Sequence, residues 1–264
     1  MVEVGSRGFR GGTLAALAFT VSVAVTGCLP SSATPEVIYT TPPGVDSSIT
    51  GPTPSIEGIV ITTAAPDNSW SVTFKKPVVS GVSSGSDQKM NDAITAQVNG
   101  YIHTFNGGKL PTVPSGGSPS NLQGDFSIAQ TSSTILSLRF SVVTTLSGAD
   151  KTTFEPGTIN FWAPTGAAID ISELFNDPNA ALATIASQAH KGLSSNLGDV
   201  LTWDGKADSW SFFQAWDMTA DGLEFSWARG KVAGDSAGMP IVTLPWSGLK
   251  SIIRTNGPAA AFVK

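Results

Sequence analysis

Charge is scarce in this sequence. Asp, Glu, Lys and Arg make up 13% of its 264 residues, about half the roughly 25% usual for soluble domains, so the surface must be built from Ser, Thr, Asn and Gly. The 15 Lys and Arg residues, set against 20 Asp and Glu, form no cluster. Nucleic acid is therefore not an expected partner, because phosphate binding draws its affinity from clustered cations that release counterions. Two histidines and one cysteine offer no zinc spacing and no internal disulfide, and neither a metal nor a cofactor is expected. No apolar run reaches the ~20 residues that a permanent membrane helix needs. What the chain does have is 41% hydrophobic content, which excludes a wholly disordered polymer and fits one compact domain with unstructured ends.

The first ten residues carry Arg7 and Arg10 and lead into an uncharged stretch from Leu14 to Val25. That is the pattern of a signal peptide over residues 1–27. The stretch ends Ala24-Val25-Thr26-Gly27-Cys28, which resembles the bacterial lipobox: small residues before a cysteine whose sulfur receives diacylglycerol. Cys28 is the expected lipidation site, placing the protein on the outer face of a bacterial cytoplasmic membrane. One acyl chain holds a protein only marginally, at about 0.8 kcal/mol per buried methylene, so the two or three chains of a lipoprotein are what make the anchor firm. Residues 28–56 are rich in Pro, Ser and Thr and read as a semi-extended spacer between the lipid and a folded domain over 57–264.

In the folded part the apolar pattern changes period. Trp70, Val72 and Phe74 alternate with Ser71 and Thr73, the mark of a strand. Met90, Ile94, Val98, Tyr101, Ile102 and Phe105 recur every three or four residues, which predicts a helix over 87–105 capped by Ser86 or Asp87. Residues 107–124 read as a flexible loop. Leu136, Leu138, Phe140 and Val142 alternate with Ser137, Arg139 and Ser141, predicting a strand with one buried and one solvated face. A strand near Thr158–Trp162 follows, and then Asp177-Pro178 opens a second helix. Further strands are expected over Trp210–Met218, over Leu223–Ala228 after a turn at Ala220-Asp221-Gly222, and over Pro240–Leu244, before a short helix through Leu249, Ile252 and Ile253. Strands and helices are segregated, so the expected fold class is α+β: a mainly antiparallel sheet with two main helices and a short C-terminal one.

Several of these segments carry a resemblance. Val79-Ser80-Gly81, the helix at Met90-Asn91, Leu136-Ser137-Leu138 and Ile169-Asp170-Ile171-Ser172-Glu173-Leu174-Phe175 resemble the extracytoplasmic domain family of RsiV-type anti-sigma factors and mycobacterial secreted immunogenic antigens. So do the hairpin Asp221-Gly222-Leu223-Glu224-Phe225 and the ending Leu244-Pro245-Trp246-Ser247-Gly248-Leu249. The similarity spans roughly residues 57–254, and its motifs are fold signatures rather than catalytic ones. It implies binding outside the membrane, with lysozyme-like proteins among the partners. Many members have a Gly-Gly-Ala-His loop where this chain has Ser147-Gly148-Ala149-Asp150, so no ligand role of that histidine transfers. Ten residues before the apolar run leave no room for a sigma-binding segment, and anti-sigma signalling is not expected.

Gly234-Asp235-Ser236-Ala237-Gly238 matches the G-x-S-x-G nucleophile elbow, which presents its serine on a strand-turn-helix. Here Pro240–Leu244 reads as a strand after the motif, and both His103 and His190 precede Ser236. A Gly-rich hairpin loop is the simpler reading, with a weak envelope esterase through Ser236 as the alternative. Asp204, Asp208, Asp217, Asp221 and Glu224 crowd the last third of the chain. Paired acids can hydrolyse glycosides, but Asp204-Gly205 and Asp221-Gly222 are also ordinary turn formers. The aromatics Trp210, Trp216 and Trp227 are the ligand-binding candidates if they face outward, and core residues if they do not. The expectation is a non-catalytic envelope lipoprotein that binds a protein or a cell-wall glycan.

Overall fold

The computed structural model describes residues 49–108, 110–149 and 152–263. The expected signal peptide, Cys28 and the expected spacer up to residue 48 lie outside the described residues. The chain is tied to the domain from Gly51, whose N–H donates to the Ser133 carbonyl at 3.2 Å.

Nine strands and three helices among the described residues build two layers of sheet between two long helices. Strands β1 (Ser55–Ala64), β2 (Trp70–Ser80), β3 (Ser120–Thr131), β4 (Ile135–Thr145), β5 (Thr152–Trp162) and the short β6 (Ala167–Ala168) form one sheet in chain order. All neighbours are antiparallel except β2 and β3. A parallel pair needs a crossover, and helix α1 (Ser84–Gly107) supplies it. Its Met90, Ile94, Val98 and Phe105 are buried against Val72, Phe74, Leu122, Leu138, Phe140 and Val142, the set that three-and-four spacing on the helix and period two on the strands present to each other.

The opposite face of β4 and β5 is covered by a second sheet, β7 (Trp216–Met218), β8 (Gly222–Ser226) and β9 (Ile241–Pro245), which is antiparallel throughout. Helix α2 (Pro178–Leu197) packs on β9 so closely that a Cβ on Gly192 would lie 2.5 Å from Val242. The short α3 (Trp246–Leu249) follows β9. Fold class is α+β, as the segregation of segments predicts.

The helix starts follow capping chemistry. Asp177 accepts from the N–H groups of Asn179 and Ala180, with Pro178 in the first turn, as expected. For α1 the cap is Ser83, which accepts from Ser86 N–H at 3.2 Å. Asp87 instead takes the N–H groups of Gly81 and Val82, and Asn91 bonds both backbone groups of Val79 at 2.8 Å. The Val79-Ser80-Gly81 and Asn91 motifs therefore form one joint between strand and helix.

Three expectations need correction. Residues 107–124 are not loop throughout, because β3 begins at Ser120. Trp210–Met218 is not one strand: Trp210–Phe213 is a 3-10 turn and only Trp216–Met218 is extended. The polar face of β4 is not solvated along its whole length: β7 lies on it and Ser137 is fully buried, while Ser141 stays half-exposed.

Candidate functional site

Two polar features distinguish this domain, one sealed and one open. The sealed one joins the sheets. Arg139 reaches from β4 to Asp217 on β7, with Nε to Oδ2 at 2.6 Å, and to Glu224 on β8. Thr243 on β9 donates to the other Glu224 oxygen at 2.9 Å. The Ser137 hydroxyl lies between Asn160 Oδ1 and Asp217 Oδ1 and accepts the Met218 N–H at 3.2 Å. The Asn160 amide donates to the Trp216 carbonyl at 2.8 Å.

Asp217 is 1% exposed, and burial pushes its carboxyl up from 3.8 to about 6 against the pull of Arg139. Burial alone would lower the Arg139 guanidinium, but the two carboxylates more than offset it and hold it above its ordinary value. A carboxylic acid with a raised pKa beside a second carboxylate is the pairing that glycoside hydrolysis uses. The acid in such a pair must touch the glycosidic oxygen, and Asp217 is sealed beneath the second sheet. The cluster is a strut between sheets.

The open feature is a cleft of about 490 Å3 beside the strut. Its floor is the edge of β5. Strand β6 pairs only with Phe161 and Trp162, so residues 155–158, paired with β4 on one side, have no strand on the other. Outward-facing carbonyls on this edge are met by other groups: Thr158 O accepts from Gln97 Nε2 at 3.3 Å, and Asn160 O from Ile169 N–H at 2.8 Å. Pro156, in phase with them, has no N–H to leave unpaired, which is where an edge strand tolerates proline.

One wall of the cleft is α1, with Gln97 and Tyr101. The Tyr101 hydroxyl accepts from Gln97 Nε2 at 2.9 Å and keeps its own proton to donate. Burial pushes this hydroxyl up; the Gln97 bond opposes that, and Glu155 adds to it. Gly157 makes the approach feasible, since a Cβ there would stand 1.7 Å from the Tyr101 oxygen. The other wall is Phe212, Gln214, Ser226, Trp227 and Lys231. The Lys231 ammonium lies 5.9 Å from the Phe212 ring centre, and Arg229 covers Phe154 on the edge strand at 4.5 Å. Ser226 is 5% exposed, and its hydroxyl finds no hydrogen-bond partner among the described residues. Buried hydroxyls are nearly always paired, and leaving one unpaired costs about 1–3 kcal/mol.

The residues singled out in the sequence fall as follows. Trp210, Trp216 and Trp227 are 6%, 6% and 3% exposed, so they are core rather than an outward aromatic row. Trp210 stacks on Phe175 at 5.2 Å. Trp227 donates its indole N–H to Phe212 O at 3.0 Å and is one of the residues lining the cleft. Ser236 is exposed on a 3-10 turn, Asp235–Ala237, and a strand rather than a helix follows it. No hydrogen bond among the described residues joins it to a histidine. His103 is exposed, while His190 lies about two turns before the end of α2 with its ring edge-on to Trp203 at 5.8 Å. Asp204 closes a turn by accepting from Lys206 N–H at 3.0 Å, and Gly205 there has φ +84°. Among the described residues no three His, Cys, Asp or Glu side chains are grouped to hold a metal ion, and no helix is long and apolar enough to cross a membrane. Sequence reasoning missed the cleft residues Gln97, Tyr101, Gln214 and Ser226, because polar residues on different elements leave no spacing to detect.

Comparison with known proteins sets this geometry in a family context. A family described as "Protein of unknown function (DUF3298)" matches residues 172–247, the stretch that holds Asp217, Glu224 and one wall of the cleft. A crystal structure of a DUF3298 family member from Bacteroides fragilis superposes with a TM-score of 0.61 at 10% identity, covering 81% of this chain and 98% of that one. A DUF3298 family protein from Pseudomonas aeruginosa PAO1 gives a TM-score of 0.55 at 15% identity, covering 76% and 95%. No curated protein matches the chain. At these identities what is shared is the fold, and residues 172–247 of this chain are similar to the DUF3298 domain within it.

Proposed function

We propose that this chain is a cell-envelope lipoprotein, held at the outer face of a bacterial membrane through Cys28, whose α+β domain binds a ligand without catalysing a reaction. The cleft at the β5 edge is the binding site. The observation that carries this reading is a concave site with Ser226 in its lining, a residue whose buried hydroxyl has no partner among the described residues. Tyr101, Gln97, Gln214 and Trp227 line the same cleft. The size of the cleft lies within the 300–1,000 Å3 usual for small ligands, which favours a saccharide of cell-wall glycan over a flat protein surface. Resemblance to the RsiV-type extracytoplasmic domains supports binding outside the membrane.

The test of the site is Ser226→Ala. Titration of the domain with soluble, digested cell-wall glycan should show binding about tenfold weaker in the variant, the loss of one good hydrogen bond. Its stability should stay level or rise, because an unpaired buried hydroxyl has been removed. Equal affinity in the two proteins would refute the site. The anchor has its own test. Cys28→Ala should move the protein from the detergent phase to the aqueous phase on partitioning, since an acidic chain has no electrostatic attraction to anionic head groups. Equal retention of both forms would show that another element holds it.

A further inference from the structure

Behind the polar cleft lies a second hollow of different chemistry. It measures about 420 Å3 and sits between the C-terminal part of α1 and the sheet. Phe105, Leu110, Leu122, Val142 and Leu146 supply most of its apolar lining, and Thr104, Thr144 and Thr153 complete it with hydroxyls beside methyl groups. Leu146 is 38% exposed at the rim, while Leu122 and Val142 on the floor are buried. Tyr101 and Glu155 line both hollows, so the two adjoin along the β5 edge, the second more apolar than the first. A cavity walled by apolar side chains forgoes dispersion contacts and stabilises whatever apolar group enters it.

We infer that the two hollows form one composite site for an amphiphile, with a neutral sugar head in the cleft against Ser226 and Gln214 and an alkyl chain in the hollow under α1. The sugar head rests on the binding reading given above; the chain rests on the second hollow alone. Glu155 stands exposed where the two meet. A carboxylate at that position disfavours an anionic group at the junction of head and chain, which separates a glycolipid-like molecule from a fatty acid.

The experiment uses methyl, hexyl, octyl and decyl glycosides of N-acetylglucosamine, each below its micelle-forming concentration, with decanoate as the anionic comparison. Binding is read by calorimetry, and by saturation-transfer NMR for the methyl compound. Affinity should rise about fourfold for each methylene that enters the hollow, and decanoate should bind more weakly than the decyl glycoside. Leu146→Glu, a substitution at an exposed rim, should abolish the rise with chain length and leave the methyl glycoside unchanged. Ser226→Ala should weaken every glycoside by the same factor. Affinity that does not depend on chain length overturns the composite site and leaves the sugar-binding reading standing. A chain dependence that survives Leu146→Glu, or decanoate binding as well as the decyl glycoside, also overturns it. Absence of binding by all four glycosides overturns both readings.

Discussion

Replacing Arg139 with methionine is expected to cost about 3–5 kcal/mol at neutral pH, the penalty for leaving a buried carboxylate without its cation. Methionine fills the volume of the arginine stem, so the loss measures charge rather than packing. Asp217 has nowhere to go: it is fully enclosed, and its remaining partner is the Ser137 hydroxyl at 3.3 Å. Glu224 suffers less, because Thr243 still holds it and it keeps some solvent contact. The cost must shrink as pH falls, since protonating Asp217 removes the stranded charge. Urea unfolding of Arg139→Met at pH 7 and near pH 4.5 checks both statements, and a cost below about 1 kcal/mol, or one independent of pH, would contradict the strut. Adding Asp217→Leu to the same chain should recover much of the loss, because apolar replacement of a whole buried pair is often neutral.

The wild-type protein carries a signature of the same site. Asp217 ionises near 6 in the fold and near 3.8 when unfolded, so the folded state holds the extra proton between those values. Its contribution is fully present below about pH 3.8 and is lost as pH rises through about 6, amounting to about 3 kcal/mol. Asp217→Asn cannot titrate. The stability advantage of wild type over Asp217→Asn should therefore fall by about that amount between about pH 3.5 and about pH 6.5. A constant difference would place the ionisation of Asp217 at its ordinary value.

The same cluster explains which parts of the molecule could be read from the chain. Helix α1 was legible because one face meets the sheet and the other meets water, so Met90, Ile94 and Val98 repeat with the helical period. Strand β4 was legible as a strand but misread in depth. Alternation reports that two faces differ in chemistry, and it cannot say whether the polar face meets water or a second polar layer. Ser137 and Arg139 meet the latter. Strand β3 was hidden because its inward position at Gly124 carries no side chain: the Phe74 ring fills that space, and a Cβ there would lie 2.1 Å from it. Trp210 and Phe213 suggested a strand by hydrophobicity alone, yet their spacing of three suits the 3-10 turn they form. The cleft was illegible for a different reason, since Gln97 on α1, Glu155 on β5, Ser226 on β8 and Gln214 after the 3-10 turn converge only after these four segments have packed.

Gly222→Ala is expected to destabilise the domain by about 3 kcal/mol, at the upper end for an added methyl in a filled site. The residue belongs to the Asp221-Gly222-Leu223-Glu224-Phe225 hairpin. Its φ requires no glycine; its surroundings do. A Cβ there would stand 2.2 Å from the Leu244 carbonyl oxygen and 2.7 Å from the carbonyl carbon, main-chain atoms of the adjacent strand that cannot rotate away. The hairpin cannot yield either. Thr219 Oγ1 accepts the Gly222 N–H at 3.1 Å and donates to its carbonyl at 2.9 Å, and the Trp246 indole donates to Thr219 O at 2.9 Å. Relief must come from moving β9 off β8, which pulls Thr243 from Glu224 and loosens the cluster around Arg139. Gly100→Ala is the contrast, because nothing lies within 4 Å of a Cβ at that helical position, and it should stabilise by about 0.5–1 kcal/mol. Chemical unfolding of the two variants beside wild type tests the argument, and a Gly222→Ala protein within 1 kcal/mol of wild type would mean that the strands can part at no cost.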